Sequence, residues 1–265
     1  MAEQQTAPQP TPKVDPSFIG VMKQRERIKG KLQNIKHKIG IYSAKGGVGK
    51  TTVAVNIAYA LNSKGFKVGL LDADVDCPNL TLFLGIDEHI TSSPQIKPIE
   101  KGGVKVVSTA MFADSITQPI IWRGPIINKM LGEFFENTEW GNLDYLIIDL
   151  PPGTSDSPLT IMQLLDLEGI ILVTTPQRIA AINTIRSGLM AKKLSVAVLG
   201  VIENMSNGSG TAAKAVAEAV GCENLGIIKN NAKFGAFSDA GKVPILEDKE
   251  IKEEFINIIS KFSIK

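Results

Sequence analysis

The chain has 265 residues, of which 43% are hydrophobic and 21% charged, and its net charge is +2. This is the make-up of a globular protein able to bury a sizeable core, without the charge excess that draws a protein to nucleic acid or to an anionic membrane. No apolar run reaches the ~18 residues that span a bilayer, and two distant cysteines, Cys77 and Cys222, exclude a disulfide framework and point to a reducing, cytoplasmic setting.

Residues 1–16, MAEQQTAPQPTPKVDP, hold few large apolar groups and are expected to form a disordered tail. Residues 17–36 read as a basic helix, with Ile28, Leu32 and Ile35 at helical spacing among Lys23, Arg25, Arg27, Lys29 and Lys31. A helix docked on the domain is favoured over a nucleic-acid arm. The remainder, 37–265, reads as one domain. Short runs rich in β-branched residues at 38–43, 67–71, 104–108, 144–149, 169–174 and 196–202 predict buried strands. Segments of helical spacing lie between them at 50–63, 123–136, 157–166, 179–192 and 211–220. This alternation predicts an α/β fold, a parallel sheet with helices on both faces, whose ligands bind beyond the carboxyl ends of the strands. At the C-terminus, Ile251, Phe255, Ile258, Ile259 and Phe262 form an apolar stripe opposite Glu247, Asp248, Glu250, Glu253 and Glu254. Anionic lipid repels such a polar face, so the stripe is expected to pack on the core and a membrane partner is disfavoured.

Four motifs fall at predicted strand ends. Residues 43–52, SAKGGVGKTT, nearly fit the phosphate-loop pattern, with Ala44 in place of its first glycine and an additional lysine, Lys45. In such a loop Gly46, Gly47, Val48 and Gly49 offer backbone N–H groups to phosphate. Lys50 reaches the β- and γ-phosphates, and Thr51, followed by Thr52, brings a hydroxyl to Mg²⁺. The next strand ends in LLDADVDCPNL, where Asp72 and Asp74 share one face. A later strand, YLIID, delivers Asp149 and is followed by PPGTSD, stiff and then flexible, as suits a γ-phosphate sensor. At the end of the 196–202 strand comes ENMSNGSG, where an asparagine amide matches the donor and acceptor edge of adenine.

KGGVGKTT resembles the deviant phosphate loop of the MinD/ParA-type ATPases. The strings IWRGP at 121–125, WGNLDYLIIDLPPGTSD at 140–156 and GVIENMS at 200–206 are similar to the Mrp/ApbC family of iron–sulfur cluster carrier ATPases. The resemblance runs from about His37 to the C-terminus. It implies a three-layer α/β/α P-loop NTPase with a mostly parallel central sheet, working as an ATP- and Mg²⁺-dependent homodimer. By resemblance, Lys45 crosses to the partner's nucleotide, Lys50 and Thr51 serve their own, Asp72 and Asp149 support the metal, Asp74 orients the attacking water and Asn204 contacts adenine. It further implies a [4Fe–4S] cluster held between two subunits by a C-x-x-C pair after the ENMS string. Here that region reads NGSGTAAKAVAEAVGC, so the ligands are absent. A divergent member that works with a cysteine-bearing homologue or an iron–sulfur client protein is the leading expectation. A MinD- or ParA-like positioning switch is the alternative. A reductase like the nitrogenase iron protein ranks last, because no cysteine closely follows PPGTSD.

Overall fold

The structure, a computed structural model, describes residues 16–88, 95–112, 132, 134–154 and 156–262. A leading helix α1 (Pro16–Lys31) is followed by β1 (Ile35–Tyr42), α2 (Lys50–Ser63), β2 (Val68–Asp72), α3 (Leu80–Leu84), β3 (Ile99–Lys101) and β4 (Val104–Ser108). Then come β5 (Leu143–Asp149), α4 (Asp156–Leu164), β6 (Gly169–Thr174), α5 (Arg178–Lys193), β7 (Val198–Ser206), α6 (Thr211–Val220) and β8 (Glu223–Lys229). The chain closes with α7 (Lys233–Asp239), α8 (Pro244–Glu247) and α9 (Lys249–Phe262).

The strands form one sheet in the order β3-β4-β2-β5-β1-β6-β7-β8. All pairs are parallel except β3–β4 at the edge. The central strands are buried along their length, as expected where helices cover both faces of a parallel sheet. Strand period sorts their side chains. Ile39, Ile41, Leu70, Ile147 and Val173 join α2, α3, α8 and α9 in one apolar cluster. Tyr42, Leu71, Ile148 and Leu172 join α1, α4, α5 and α6 in the other. The C-terminal stripe of Ile251, Phe255, Ile258, Ile259 and Phe262 is buried in the first.

Several boundaries differ from the sequence expectation. The basic helix ends at Lys31, and Ile35 opens β1, because Ile35 pairs with Leu143 in the sheet ladder. The helix is docked, as expected: Ile28 and Leu32 are buried, Arg25 and Lys29 reach Asp166 at 3.7 and 3.0 Å, and Arg27 reaches Glu136 at 3.2 Å. β7 runs four residues beyond 202, to Ser206. β3 and β8 have no counterpart among the predicted strands. The helix expected at 123–136 falls outside the described residues except at 132 and 134–136, which are helical, and IWRGP lies wholly outside them.

Candidate nucleotide-binding site

The motifs converge where β1, β2 and β5 end side by side. Ladder register places Asp72 directly beside Asp149, and Asp149 beside Ile41 at the end of β1. The loop 43–49 leaves β1 and turns into α2. Gly49 takes the N-cap position in left-handed backbone, φ 80° and ψ 30°, and gives no side-chain cap. A Cβ here would collide with the Asn204 side-chain amide nitrogen, so glycine is required by backbone and by space alike. The first amides of α2, with their positive dipole end, are thus left facing the loop, an arrangement suited to an anion.

The two lysines of the loop have opposite settings. Lys45 is exposed, while Lys50 is only 7% exposed. Lys50 Nζ donates to Asp149 Oδ1 at 2.6 Å, and Thr51 Oγ1 donates to Asp149 Oδ2, also at 2.6 Å. One buried carboxylate therefore holds both side chains expected to meet phosphate and metal. Asp72 is the second buried carboxylate. It accepts from the Asp74 amide (3.1 Å), the Leu80 amide (3.2 Å) and Ser108 Oγ (3.0 Å). Burial, and next the Asp149 carboxylate, push its carboxyl up to about 7, against the pull of Lys50. Burial also pushes the Asp74 carboxyl up, with Lys50 opposing, and Asp74 Oδ1 accepts from the Cys77 amide at 3.2 Å. Asp72 and Asp74 thereby fold the DVDCPN segment back over the end of β2.

The PPGT segment is tied to the loop's entry strand. Tyr42 Oη donates to the Gly153 carbonyl at 2.5 Å, and the Gly153 amide donates to the Ser43 carbonyl at 3.1 Å. On the far side of the loop, Asn204 is buried, and its Nδ2 donates to the Val48 carbonyl at 2.8 Å. Asn204 thus braces the phosphate loop, a role that the sequence expectation of adenine contact did not include. Sequence reasoning also missed Glu203. This carboxylate is fully buried, with Oε2 accepting from the Ala212 and Ala213 amides at 2.9 and 3.2 Å. It caps α6, whose N-cap residue, Gly210, has no side chain to do so. That pairing of a polar strand end with an uncapped helix was the only trace in the sequence.

The cysteines lie apart. Cys77 is exposed in the segment after β2, at the carboxyl end of the sheet. Cys222 immediately precedes β8, so in a parallel sheet it lies at the opposite end, half-buried, where burial raises its thiol. Among the described residues, no group of three or more His, Cys, Asp and Glu forms a ready metal cage. Among them, too, no helix is long and apolar enough to cross a membrane.

The family model of the ParA group described as NUBPL iron-transfer P-loop NTPase matches residues 34–263. An iron–sulfur cluster carrier protein of Methanocaldococcus jannaschii is 41% identical over 255 residues, covering 90% of this chain and 88% of that one. A second, from Pyrococcus horikoshii, is 37% identical over 95% of this chain and 94% of its own. Among solved structures, a nucleotide-binding protein of Archaeoglobus fulgidus in complex with ADP superposes with a TM-score of 0.71 at 34% identity, covering 84% of this chain and 94% of that chain. The septum site-determining protein MinD of Pyrococcus horikoshii, complexed with Mg-ADP, gives 0.63 at 25% identity, again over 84% and 94%.

Proposed function

The chain belongs to the ParA-group family of NUBPL-type iron-transfer P-loop NTPases, and from that premise we propose that it binds and hydrolyses Mg·ATP as a homodimer and couples this cycle to the handling of iron–sulfur clusters. The observation that carries the reading is the set Lys50–Asp149–Thr51, assembled by two 2.6 Å bonds at the first turn of α2. Lys50 would take the phosphate charge. Thr51 Oγ1 and Asp149, backed by Asp72, would hold Mg²⁺. The donor set suits a hard dication, because two buried carboxylates share one ammonium and the Asp149 charge already raises the Asp72 carboxyl. When bound, the ion neutralises charge that gathers on the phosphates in transfer.

Asp74, two residues beyond Asp72, would accept a hydrogen bond from the attacking water. Lys45, exposed beside the loop, would enter the partner's site and stabilise transition-state charge as an arginine finger does. Hydrolysis would then wait on dimer closure. Asn204, with its Nδ2 held on Val48, keeps Oδ1 to accept from the adenine amino group.

The cargo is set by thiolates, since iron–sulfur clusters are held by cysteine. Cys77 and Cys222 lie at opposite ends of the sheet and do not serve one cluster within a chain. Cluster ligands would come from Cys77 of two copies across the dimer or from a cysteine-bearing partner. Turnover assays with and without Mg²⁺, together with anaerobic reconstitution of the isolated chain, test the reading. Mg²⁺-dependent ATP hydrolysis that Lys50→Ala abolishes would support the ATPase. Absence of ATP binding would sink it. Bound iron that survives Cys77→Ser would overturn the assignment of the thiols.

A further inference from the structure

We infer that Met205 is the platform on which the nucleobase packs, its thioether lying against one face of a purine at the carboxyl end of β7. This rests on the reading of the 43–52 loop as an ATP site. Met205 is one of three non-glycine residues with positive φ among the described residues, at 53°. A bulky side chain rarely takes left-handed backbone unless its surroundings force it, and such outliers collect at ligand sites.

The forcing is visible on both sides. Glu203 Oε1 accepts from Ser206 Oγ at 2.5 Å, a bridge across residues 204 and 205. Glu203 is also fixed by the amides of α6, and Ser206 by the Asn230 amide, which donates to its carbonyl at 3.0 Å. Asn204 is pinned to Val48. The β7–β8 ladder breaks register between Glu203 and Ser206. The chain therefore bulges and pushes one residue outward. Glu203, Asn204 and Ser206 are buried, but Met205 is 43% exposed.

Its position gives the exposure a use. The Met205 methyl lies 3.6 Å from where a Cβ on Gly49 would stand, so the side chain hangs over the N-cap residue of α2. A triphosphate seated on that loop carries its base one ribose away, within reach of this spot. A thioether packs well on an aromatic face, and every nucleobase offers one. Asn204 would read the edge of the ring, and Met205 would hold its face.

The test is a titration of the full chain with ATP, with ADP and with inorganic tripolyphosphate, each with Mg²⁺. Met205→Ser should weaken ATP and ADP roughly three- to tenfold and leave tripolyphosphate within about twofold. Met205→Leu, which keeps apolar bulk, should restore most of the loss. Met205→Gly should melt no lower than the parent, because it relieves the positive φ, while it loses base affinity like the serine variant. Equal weakening of ATP and tripolyphosphate, or no weakening of ATP, would overturn the inference. Failure of the parent to bind either ligand would overturn the ATP-site reading beneath it.

Discussion

Lys50→Ala should cost stability as well as nucleotide binding, and the size of that cost follows from the site. Lys50 and Asp149 have side chains 8% and 1% exposed, and they meet at 2.6 Å. Removing one partner of a buried ion pair typically costs about 3–5 kcal/mol, because the remaining charge is left without compensation. Here Asp149 keeps Thr51 Oγ1 at 2.6 Å, which favours the lower end, but Asp72 stands beside it and adds repulsion. We expect a loss of about 3 kcal/mol, a drop of about 1 M in the urea midpoint for a slope near 3 kcal/mol/M. Were Lys50 a free side chain waiting in solvent, alanine would be neutral or slightly stabilising, since it is the better helix former. The assay is equilibrium urea unfolding at 25 °C without nucleotide, followed by far-UV circular dichroism and by the fluorescence of buried Trp140. In the variant, a proton on Asp72, whose carboxyl burial holds up at about 7, removes the repulsion beside Asp149, so the deficit should shrink as pH falls below 7. An unfolding curve that overlays the parent's at pH 7 would refute the buried-pair reasoning.

The other predictions use the same protein. Lys45→Ala, at an exposed position, should leave the urea midpoint unchanged and ATP binding intact, yet lose ATP-dependent dimerisation and turnover, as read by light scattering and phosphate release. Normal turnover would remove the cross-subunit role. Asp72 has a folded value of about 7, above its ordinary 3.8, so its stabilising contribution is complete below pH 3.8 and is lost as pH rises through 7. Asp72→Asn should therefore flatten the fall in stability between pH 4 and 7, while weakening Mg²⁺-dependent ATP binding; an unchanged slope would contradict the raised value. Gly49→Ala should cost more than about 1 kcal/mol, since it combines left-handed backbone with a collision against Asn204. Thermal melting of that variant and of the double variant with Asn204→Ala separates the two causes: only the collision is relieved by the second change.

Much of the sheet was legible because its central strands are buried on both faces and so read as continuous apolar runs, as in YLIID. The edges were not. β8, ENLGIIK, buries only Leu225 and Ile228 and is interrupted by Gly226, and β3 is three residues of an antiparallel margin. The end of β7 was missed for a related reason. Glu203, Asn204 and Ser206 are polar, and they are buried because a helix terminus and a loop carbonyl satisfy them, a tertiary compensation that no local pattern carries. In the site, the glycine-rich run before Lys50 and Thr51 announced a phosphate loop, and the apolar run ending in Asp149 announced a carboxylate at a strand end. That Asp149 binds both of the others, and that Asn204 props the loop from below, depends on strands distant in sequence coming into register.

The C-terminal helix shows what this architecture forbids. Lifting α9 off the sheet would bare Ile251, Phe255, Ile258, Ile259 and Phe262. At about 2 kcal/mol for each side chain, that is about 10 kcal/mol, comparable with the whole stability of an ordinary domain. Peeling it away would amount to unfolding. The last helix is a wall of the building and not a detachable foot, so its apolar face is closed to any surface the protein meets.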